Sequence, residues 1–262
     1  MKNKNNISDL EKYFKTNEGR EIRKYNHYFD IYDRHFKRFR DKEVVILEIG
    51  VSNGGSLQMW KEYFGKNAKI YGIDIDPRCK EFEEDNIKIF IGSQSDRDFL
   101  KKVKVSIPMV DILIDDGGHT MRQQRTSFEE LFDYIKNDGV YLIEDLHTSY
   151  WALFGGGHKR RNTFIEYSKN FIDYLNAFHS EQKSLKIKTF TKSVDSLHYY
   201  DSILVIEKKT REKPFNVSTG EVSFEVSPEV NGIVSRKLIK TTATKVNRIL
   251  RFLRLPGIYR KL

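Results

Sequence analysis

The sequence lacks the features that mark secreted, membrane-spanning and disulfide-linked proteins. Cys79 is the only cysteine among 262 residues, so no intrachain disulfide can form. No apolar run approaches the ~18 residues that a membrane span needs. The first six residues also lack the apolar stretch of a secretory signal. We therefore expect a cytoplasmic protein, since one unpaired thiol fits a reducing compartment.

An excess of basic charge is also missing from most of the chain. The formal net charge is +9, but residues 234–262 alone hold nine Lys and Arg and no acid. Residues 1–233 hold 37 bases and 37 acids. This balance does not favour a nucleic-acid-binding main domain, and we expect no nucleic-acid partner.

The basic tail has an amphipathic pattern. If residues 245–254 are helical, their apolar side chains share one face and basic side chains surround it. Such a helix fits peripheral contact with the inner face of an anionic membrane. It also fits packing on another subunit of a homo-oligomer, contact with nucleic acid, or a solvated arm. The membrane contact is only slightly favoured among these.

Apolar runs alternate with amphipathic stretches through the middle of the chain. This alternation predicts a Rossmann-like, doubly wound α/β sheet that is mostly parallel. Two further runs, 185–190 and 202–207, are joined too closely for a crossover helix, which predicts a C-terminal antiparallel hairpin. The predicted strands before this hairpin are 44–47, 69–73, 87–91, 110–114 and 140–143.

The same patterns predict the remaining helices and the domain limits. Aromatic residues at helical spacing predict one long helix over 7–40, and a second helix is expected near 162–178. Composition changes after Lys213, where Pro and Gly become frequent. We expect an N-terminal helical segment (1–43), a ligand-binding domain (44–210), and an irregular arm with a basic tail (211–262).

A glycine-rich turn follows the first strand, from Glu48 to Ser56. Glycine lets the backbone approach a ligand closely. Asp74 ends the next strand, about 20 residues further along the sequence. In dinucleotide-binding folds, a carboxylate at this spacing accepts hydrogen bonds from a ribose diol. The turn lacks the Gly-x-Gly-x-x-Gly of pyrophosphate cradles, and Glu48 would repel a phosphate but suit a cationic ligand. Together these features favour nucleoside binding over a simple packing turn.

Two clusters of acids follow two of the predicted strands. They are Asp115-Asp116-Gly117-Gly118-His119 and Glu144-Asp145-Leu146-His147. Ligands bind at the carboxyl ends of parallel strands, so these acids should face one crevice. Converging carboxylates repel each other unless a cation lies between them, and oxygen ligands favour magnesium or manganese. Neighbouring strand residues point to opposite faces, so both acids of the second cluster can bind one ion only if the strand has ended.

These motifs resemble those of class I S-adenosylmethionine-dependent methyltransferases. The resemblance spans roughly residues 25–207 and rests on Glu48-x-Gly50, Asp74, Gly92-Ser93-Gln94 and Asp115-Asp116. More narrowly, Asp116-Gly117-Gly118-His119 followed by Glu144-Asp145 is similar to metal-dependent sugar O-methyltransferases of macrolide and surface-polysaccharide (capsule) pathways. Ser52 departs from the family pattern, in which many members have a second glycine.

The resemblance implies a role for each matching residue. Gly50 and its turn would hold the methionine part of the cofactor, Asp74 its ribose, and Ser93 and Gln94 its adenine. Asp116, Glu144 and Asp145 would bind the metal, and His119 would be the general base. Other residues expected around the cofactor are Tyr28, Glu48, Ser56 and Asp115, although an aromatic residue such as Tyr28 is more often part of the core.

The expected activity is therefore methyl transfer to a sugar hydroxyl of a nucleotide-activated sugar or glycan precursor. A metal ion that stabilises the alkoxide and a histidine that accepts the proton would overcome the high pKa of the hydroxyl. His147 is a rival base, and Tyr150 and Trp151 either stack on the sugar or close the core. The alternatives are an NAD-dependent oxidoreductase, disfavoured by Glu48, and a nucleic-acid-binding protein acting through the tail.

Overall fold

The apolar runs of the sequence form one sheet in the computed structural model, which describes residues 7–224, 245–250 and 252–253. Within these residues the sheet has seven strands in the order β3-β2-β1-β4-β5-β7-β6. Strands β1 to β5 are parallel, and β7 is antiparallel to both β5 and β6. The strands are β1 Val45–Ile49, β2 Lys69–Asp74, β3 Ile87–Ile91, β4 Val110–Asp115, β5 Ile135–Ile143, β6 Val194–Tyr199 and β7 Leu204–Lys208.

Helices connect the parallel strands and cover the sheet. The α-helices are α1 Asp9–Lys15, α2 Tyr28–Phe36, α3 Gly55–Phe64, α4 Arg97–Ser106, α5 Met121–Leu131, α6 Phe164–Ser168, α7 Asn170–Leu175 and α8 Thr189–Ser193. Short 3₁₀ turns occupy Lys37–Phe39, Pro77–Phe82, Phe132–Tyr134, Leu146–Tyr150, Ala152–Phe154 and Ala177–His179. The predicted mostly parallel, doubly wound sheet with an antiparallel C-terminal hairpin is confirmed.

The predicted long helix over 7–40 is wrong. The structure has two helices, α1 and α2, and an irregular segment of residues 17–27 between them. Thr16 ends α1, and the side chain of Asn17 then bonds both the amide of Gly19 and the carbonyl of Arg20. These local hydrogen bonds compete with helix formation, and glycine adds to the cost of continuing the helix.

The first strand of the predicted hairpin is also misplaced. Residues 185–190 are not a strand, and β6 begins only at Val194. The turn explains the shift, because the amide of Tyr200 bonds the carbonyl of Ile203 at 2.8 Å. So tight a turn forces β6 to end at Tyr199, directly beside β7.

The predicted continuous helix near 162–178 is also wrong, because the structure has two short helices there, α6 and α7, followed by a 3₁₀ turn.

The core has two layers, one on each face of the sheet. Alternate residues of β1 show this, since Ile46 belongs to one cluster of buried residues and Leu47 to the other. The first layer joins α1, α2 and α3 to the sheet through buried Tyr32, Phe36 and Trp60. The N-terminal helices are therefore part of the same core as the sheet.

The chain divides into two compact units, Met1–Pro214 and Phe215–Leu262. In the second unit, residues 245–250 are helical, and Ile249 and Leu253 are exposed. Most of residues 234–262, to which we assigned a membrane contact, lie outside the described residues. None of the helices in the described part of the chain has the length and apolar character that a bilayer span requires.

The second layer of the core predicts a large effect for one substitution. The ring of Phe128 stacks on Phe171 with centroids 4.4 Å apart and on Tyr141 at 5.8 Å. Phe128→Ala should therefore lower the free energy of unfolding by about 3–5 kcal/mol in urea titrations, through lost burial and a residual cavity. Val105→Ala is the control, because Val105 is 86% exposed. An equal loss in both variants would contradict this account of the core.

Candidate functional site

The glycine-rich turn and the first acidic cluster meet at the carboxyl ends of β1 and β4. Gly50 has a φ of +95°, and a Cβ there would lie 2.0 Å from the carbonyl oxygen of Asp116. Glycine is required at this position both by the backbone conformation and by the close approach. The contact brings the two motifs together although they are 66 positions apart in the sequence.

Asp74 ties this turn to the end of β2. Its Oδ2 accepts hydrogen bonds from the amides of Val51 and Ser52 at 2.8 and 2.9 Å, and Oδ1 accepts one from Asp76 at 2.9 Å. Ser52 has a positive φ of 50°, so it adopts the left-handed conformation in which glycine is common. The carboxylate of Asp74 thus shapes the turn, and it also lines a cavity.

That cavity has a volume of about 240 Å³. Ser93 and Gln94 line it together with Gly50 and Asp74. Gln94 accepts a hydrogen bond from the amide of Gly118 at 2.7 Å and donates one to Asp115 at 3.0 Å. Asp115 is fully buried, and burial raises its pKa to about 7. It accepts hydrogen bonds from Gln94, which it holds in place, and from the hydroxyl of Tyr141 at 3.3 Å.

A second cavity of about 670 Å³ adjoins the first, and both are lined by Gly50, Ser52, Asp116 and Gly117. Glu48 lies buried beside it, where Ser56 donates a hydrogen bond to Glu48 Oε2 at 2.8 Å. The other oxygen, Oε1, is buried and has no hydrogen-bond partner among the described residues. Burial raises the pKa of Glu48 to about 7, so a cationic group near Oε1 would satisfy an otherwise costly buried acid.

The second acidic cluster begins where β5 ends, at Ile143. Asp145 has a φ of 55°, a left-handed conformation that turns the chain immediately after Glu144. The condition that the strand must end before both acids can face one crevice is therefore met. Glu144 is fully buried, whereas Asp145 is partly exposed.

Three side chains from the two clusters offer donor atoms to one point. Oxygens of Asp116 and Asp145 and a ring nitrogen of His119 all lie within 4.8 Å of one another. His119 Nε2 is 3.4 Å from Asp145 Oδ2 and 3.7 Å from Asp116 Oδ1. The two carboxylates offer the oxygen ligands that Mg²⁺ or Mn²⁺ prefers, and the imidazole lies beside them.

His119 is well placed to exchange a proton. Burial lowers its pKa, and the nearby carboxylates of Asp116 and Asp145 only partly oppose this shift, so the neutral imidazole is favoured. Its Nδ1 is buried and has no hydrogen-bond partner among the described residues. The residue lies just before Thr120, which caps helix α5 with its side chain.

Sequence reasoning missed Lys24, the residue that contacts both acidic clusters. Its ammonium donates to both oxygens of Glu144, at 2.9 and 3.0 Å, and also to Oδ2 of Asp116. Burial lowers the pKa of Lys24, but the surrounding acids more than offset this, so its pKa is raised and the lysine is charged. The residue lies in the segment that was predicted as helix, and no local pattern distinguishes it from other surface lysines.

Two tyrosines of α2 complete the hydrogen bonds of the second cluster. Tyr32 donates to Glu144 Oε1 at 2.7 Å, and Tyr28 donates to Asp145 Oδ1 at 2.8 Å. Both tyrosines are buried. Tyr28 also lines the larger cavity. Its hydroxyl thus contacts Asp145, a candidate metal ligand, at the wall of this cavity.

The larger cavity has an aromatic wall. His147 packs edge-on against Tyr25 and Trp151, with centroid distances of 5.6 and 4.6 Å. A hydrogen bond of 2.5 Å between Nδ1 of His147 and the hydroxyl of Ser202 holds the imidazole. Trp151 lines the cavity and is 49% exposed, whereas Tyr150 lies outside the lining.

Another group of potential metal ligands, His35, His198 and Glu207, lies outside both cavities. Both ring nitrogens of His35 already have partners, Glu207 at 2.5 Å and Tyr200 at 2.9 Å. The carboxylate of Glu207 also pairs with Arg38. These contacts join α2 to the hairpin and need no ion.

Comparisons with known proteins agree with this geometry. Residues 47–146 match a family model described as a methyltransferase domain. Demethylmacrocin O-methyltransferase of Streptomyces fradiae is 37% identical over 68% of the chain, and mycinamicin VI 2''-O-methyltransferase of Micromonospora griseorubida is 36% identical over 68%. Each alignment covers 47% of the relative, so the chain spans about half the length of these relatives.

A solved structure shows the same likeness in three dimensions. The methyltransferase MycE of mycinamycin biosynthesis, solved with Mg, SAH and mycinamycin VI, superposes with a TM-score of 0.68 and 32% identity. The match covers 78% of the chain and 53% of MycE. The chain therefore belongs to the class I S-adenosylmethionine-dependent methyltransferases and is similar to the O-methyltransferases of macrolide and tetracenomycin pathways.

Proposed function

We propose that the protein transfers a methyl group from S-adenosylmethionine to a sugar hydroxyl with the help of a divalent metal ion. The convergence of Asp116, Asp145 and His119 within 4.8 Å is the observation that carries this proposal. Asp116 lines both cavities, so a cofactor in one and a sugar in the other would meet beside these donor atoms. Methyl transfer needs this proximity, because the oxygen, methyl carbon and sulfur must align.

The smaller cavity suits the nucleoside of S-adenosylmethionine. Asp74 offers carboxylate oxygens to the ribose, and Ser93 and Gln94 lie where the adenine is expected. The unpartnered Oε1 of Glu48 suits the positively charged amino group of the methionine part. Gly50 and Asp116 line both cavities, and the backbone of Gly50 lies so close to Asp116 that no side chain fits there.

Asp116 and Asp145 would hold magnesium or manganese, with Glu144 as a third candidate ligand. When bound, the ion lowers the pKa of a neighbouring sugar hydroxyl and fixes its position. His119 is the candidate general base, because burial favours its neutral form and its Nε2 lies beside the carboxylates of the proposed metal site. The transferred methyl leaves a neutral thioether, so no acid is needed on the cofactor side.

The larger cavity suits a glycosyl group. Trp151, His147 and Tyr25 provide aromatic surface on which a sugar ring can stack. The curated relatives that match include an L-olivosyl-oleandolide 3-O-methyltransferase and a rhamnosyl tetracenomycin-C 2'-O-methyltransferase. Their names support a deoxysugar or similar ring as the methyl acceptor.

The substrate that we propose carries its sugar on a diphosphate, as a nucleotide sugar or a polyprenyl-linked precursor of a surface polysaccharide. Lys159, Arg160 and Arg161 are exposed and pair with no acid within the described part of the chain. Their loop lies beside the aromatic wall, because the amides of Gly156 and Gly157 bond the carbonyls of Trp151 and Ser149 at 2.9 and 2.8 Å. Basic side chains in this loop would favour an anionic group next to the sugar.

The activity is tested with methyl-labelled S-adenosylmethionine and a panel of sugars, analysed by mass spectrometry. The panel pairs each nucleotide sugar with the same sugar on an uncharged aglycone. We expect label on a sugar hydroxyl, with a preference for the diphosphate form. Labelling of the uncharged glycoside alone would remove the diphosphate from the proposal, and transfer to a nitrogen or carbon acceptor would contradict the reaction type.

The metal has its own test. A chelator should abolish turnover, and added Mg²⁺ or Mn²⁺ should restore it. Asp116→Asn should weaken metal binding in calorimetry but leave S-adenosylmethionine affinity largely unchanged, because Asp74 and Glu48 remain. Asp138→Asn, at an exposed position of β5, is the matched control. Full activity in excess chelator would exclude the metal from the mechanism.

The two histidines are distinguished by their substitution to alanine. General-base catalysis contributes ~10²–10⁴-fold, so His119→Ala should lower kcat by about that factor with little change in cofactor affinity. His147→Ala should have the smaller effect on kcat and should raise KM for the sugar, because His147 lies in the aromatic wall. Steady-state kinetics decide between them, and the reverse order of effects would assign the base to His147.

A further inference from the structure

Lys24 forms the densest set of ionic contacts at the candidate active site, although it comes from outside the strands that build the site. Its ammonium bonds both oxygens of Glu144 and one oxygen of Asp116. The side chain is only 3% exposed. A lysine held so firmly between two acids acts as their counter-ion, because it opposes the rise in the pKa of Glu144 that burial and the nearby Asp116 cause.

The irregular segment of residues 17–27 carries Lys24 into the site. Its backbone packs against the start of α3, where a Cβ on Gly55 would lie 2.3 Å from the carbonyl oxygen of Glu21. The side chain of Glu21 accepts a hydrogen bond from Asn53 at 2.6 Å. Residues 21–25 of the segment line the larger cavity, so its position affects the shape of the space for the sugar.

The position of the ammonium conflicts with a divalent ion on the same acids. The Lys24 nitrogen lies between Asp116 and Glu144, where an ion shared by the two carboxylates would also lie. Two cations at this spacing repel each other, and the repulsion is strong in a buried site. Asp145 and His119 leave the other oxygen of Asp116 accessible, so an ion could approach from their side.

We propose that Lys24 is an internal counter-ion which a divalent metal displaces from Asp116, so that metal binding loosens the segment of residues 17–27 over the larger cavity. The inference rests on the metal site proposed above. While no cofactor is bound, a second place for the displaced ammonium exists, because Oε1 of Glu48 is buried without a hydrogen-bond partner among the described residues and Glu48 already acts electrostatically on Lys24. The metal would thus be coupled to the opening of the sugar cavity.

Limited proteolysis of the unaltered protein tests this displacement without cofactor or substrate. Trypsin cleaves after Arg20 and Arg23, which flank the contact of Glu21 with α3. If magnesium displaces Lys24, saturating Mg²⁺ should speed cleavage at these two bonds several-fold, as followed by mass spectrometry. Slower cleavage with Mg²⁺ would overturn the proposal, because it would mean that the ion orders the segment.

Metal affinity provides the second readout. Lys24→Met removes the ammonium with little change in side-chain volume and should tighten Mg²⁺ binding by roughly tenfold or more in calorimetry. Arg23→Met is the matched control, because Arg23 lines the same cavity and loses the same charge but makes no contact with the acids. Equal affinities in the two variants would overturn the displacement alone. If neither variant nor the unaltered protein bound Mg²⁺, the displacement and the proposed metal site would both be overturned.

Discussion

The mutual repulsion of acids at the ends of β4 and β5 is the constraint on which the site depends. The parallel pairing of these strands sets Asp115 beside Ile143, so the acids that follow must lie close together. Buried carboxylates at this spacing are tolerated only with cations or hydrogen-bond donors nearby. For Asp116, Glu144 and Asp145 the fold supplies these groups from α2 and from the segment before it.

These hydrogen-bond donors come from a helix that belongs to the same core as the sheet. Tyr32 packs against Trp60 of α3 and also donates a hydrogen bond to Glu144. Its ring therefore serves the core while its hydroxyl serves the site. Tyr28 makes the corresponding bond to Asp145 one turn earlier on the same helix. The apolar packing of α2 thus fixes the donors that the acidic clusters require.

The sequence was sufficient to predict the parallel strands and the motifs that follow their carboxyl ends. Short apolar runs such as residues 44–47 are typical of buried parallel strands when turn residues bound them, so their assignment did not depend on distant residues. Residues 17–27 and 185–190 were predicted wrongly, because an aromatic stripe or a short apolar run has the same period in several structures. Side-chain hydrogen bonds of Asn17 ended the first helix, and the tight turn after Tyr199 placed the hairpin.

The order of residues by itself determined which chemical groups stand at the ends of the strands. A parallel sheet aligns those ends, so the spacing of Asp116, His119 and Asp145 already predicted that they would converge. Only the tertiary structure decided that Lys24 lies between the acids and that Asp115 supports Gln94. Such contacts join residues up to 120 positions apart, and no local periodicity records them, because packing across the whole domain sets where each irregular segment lies.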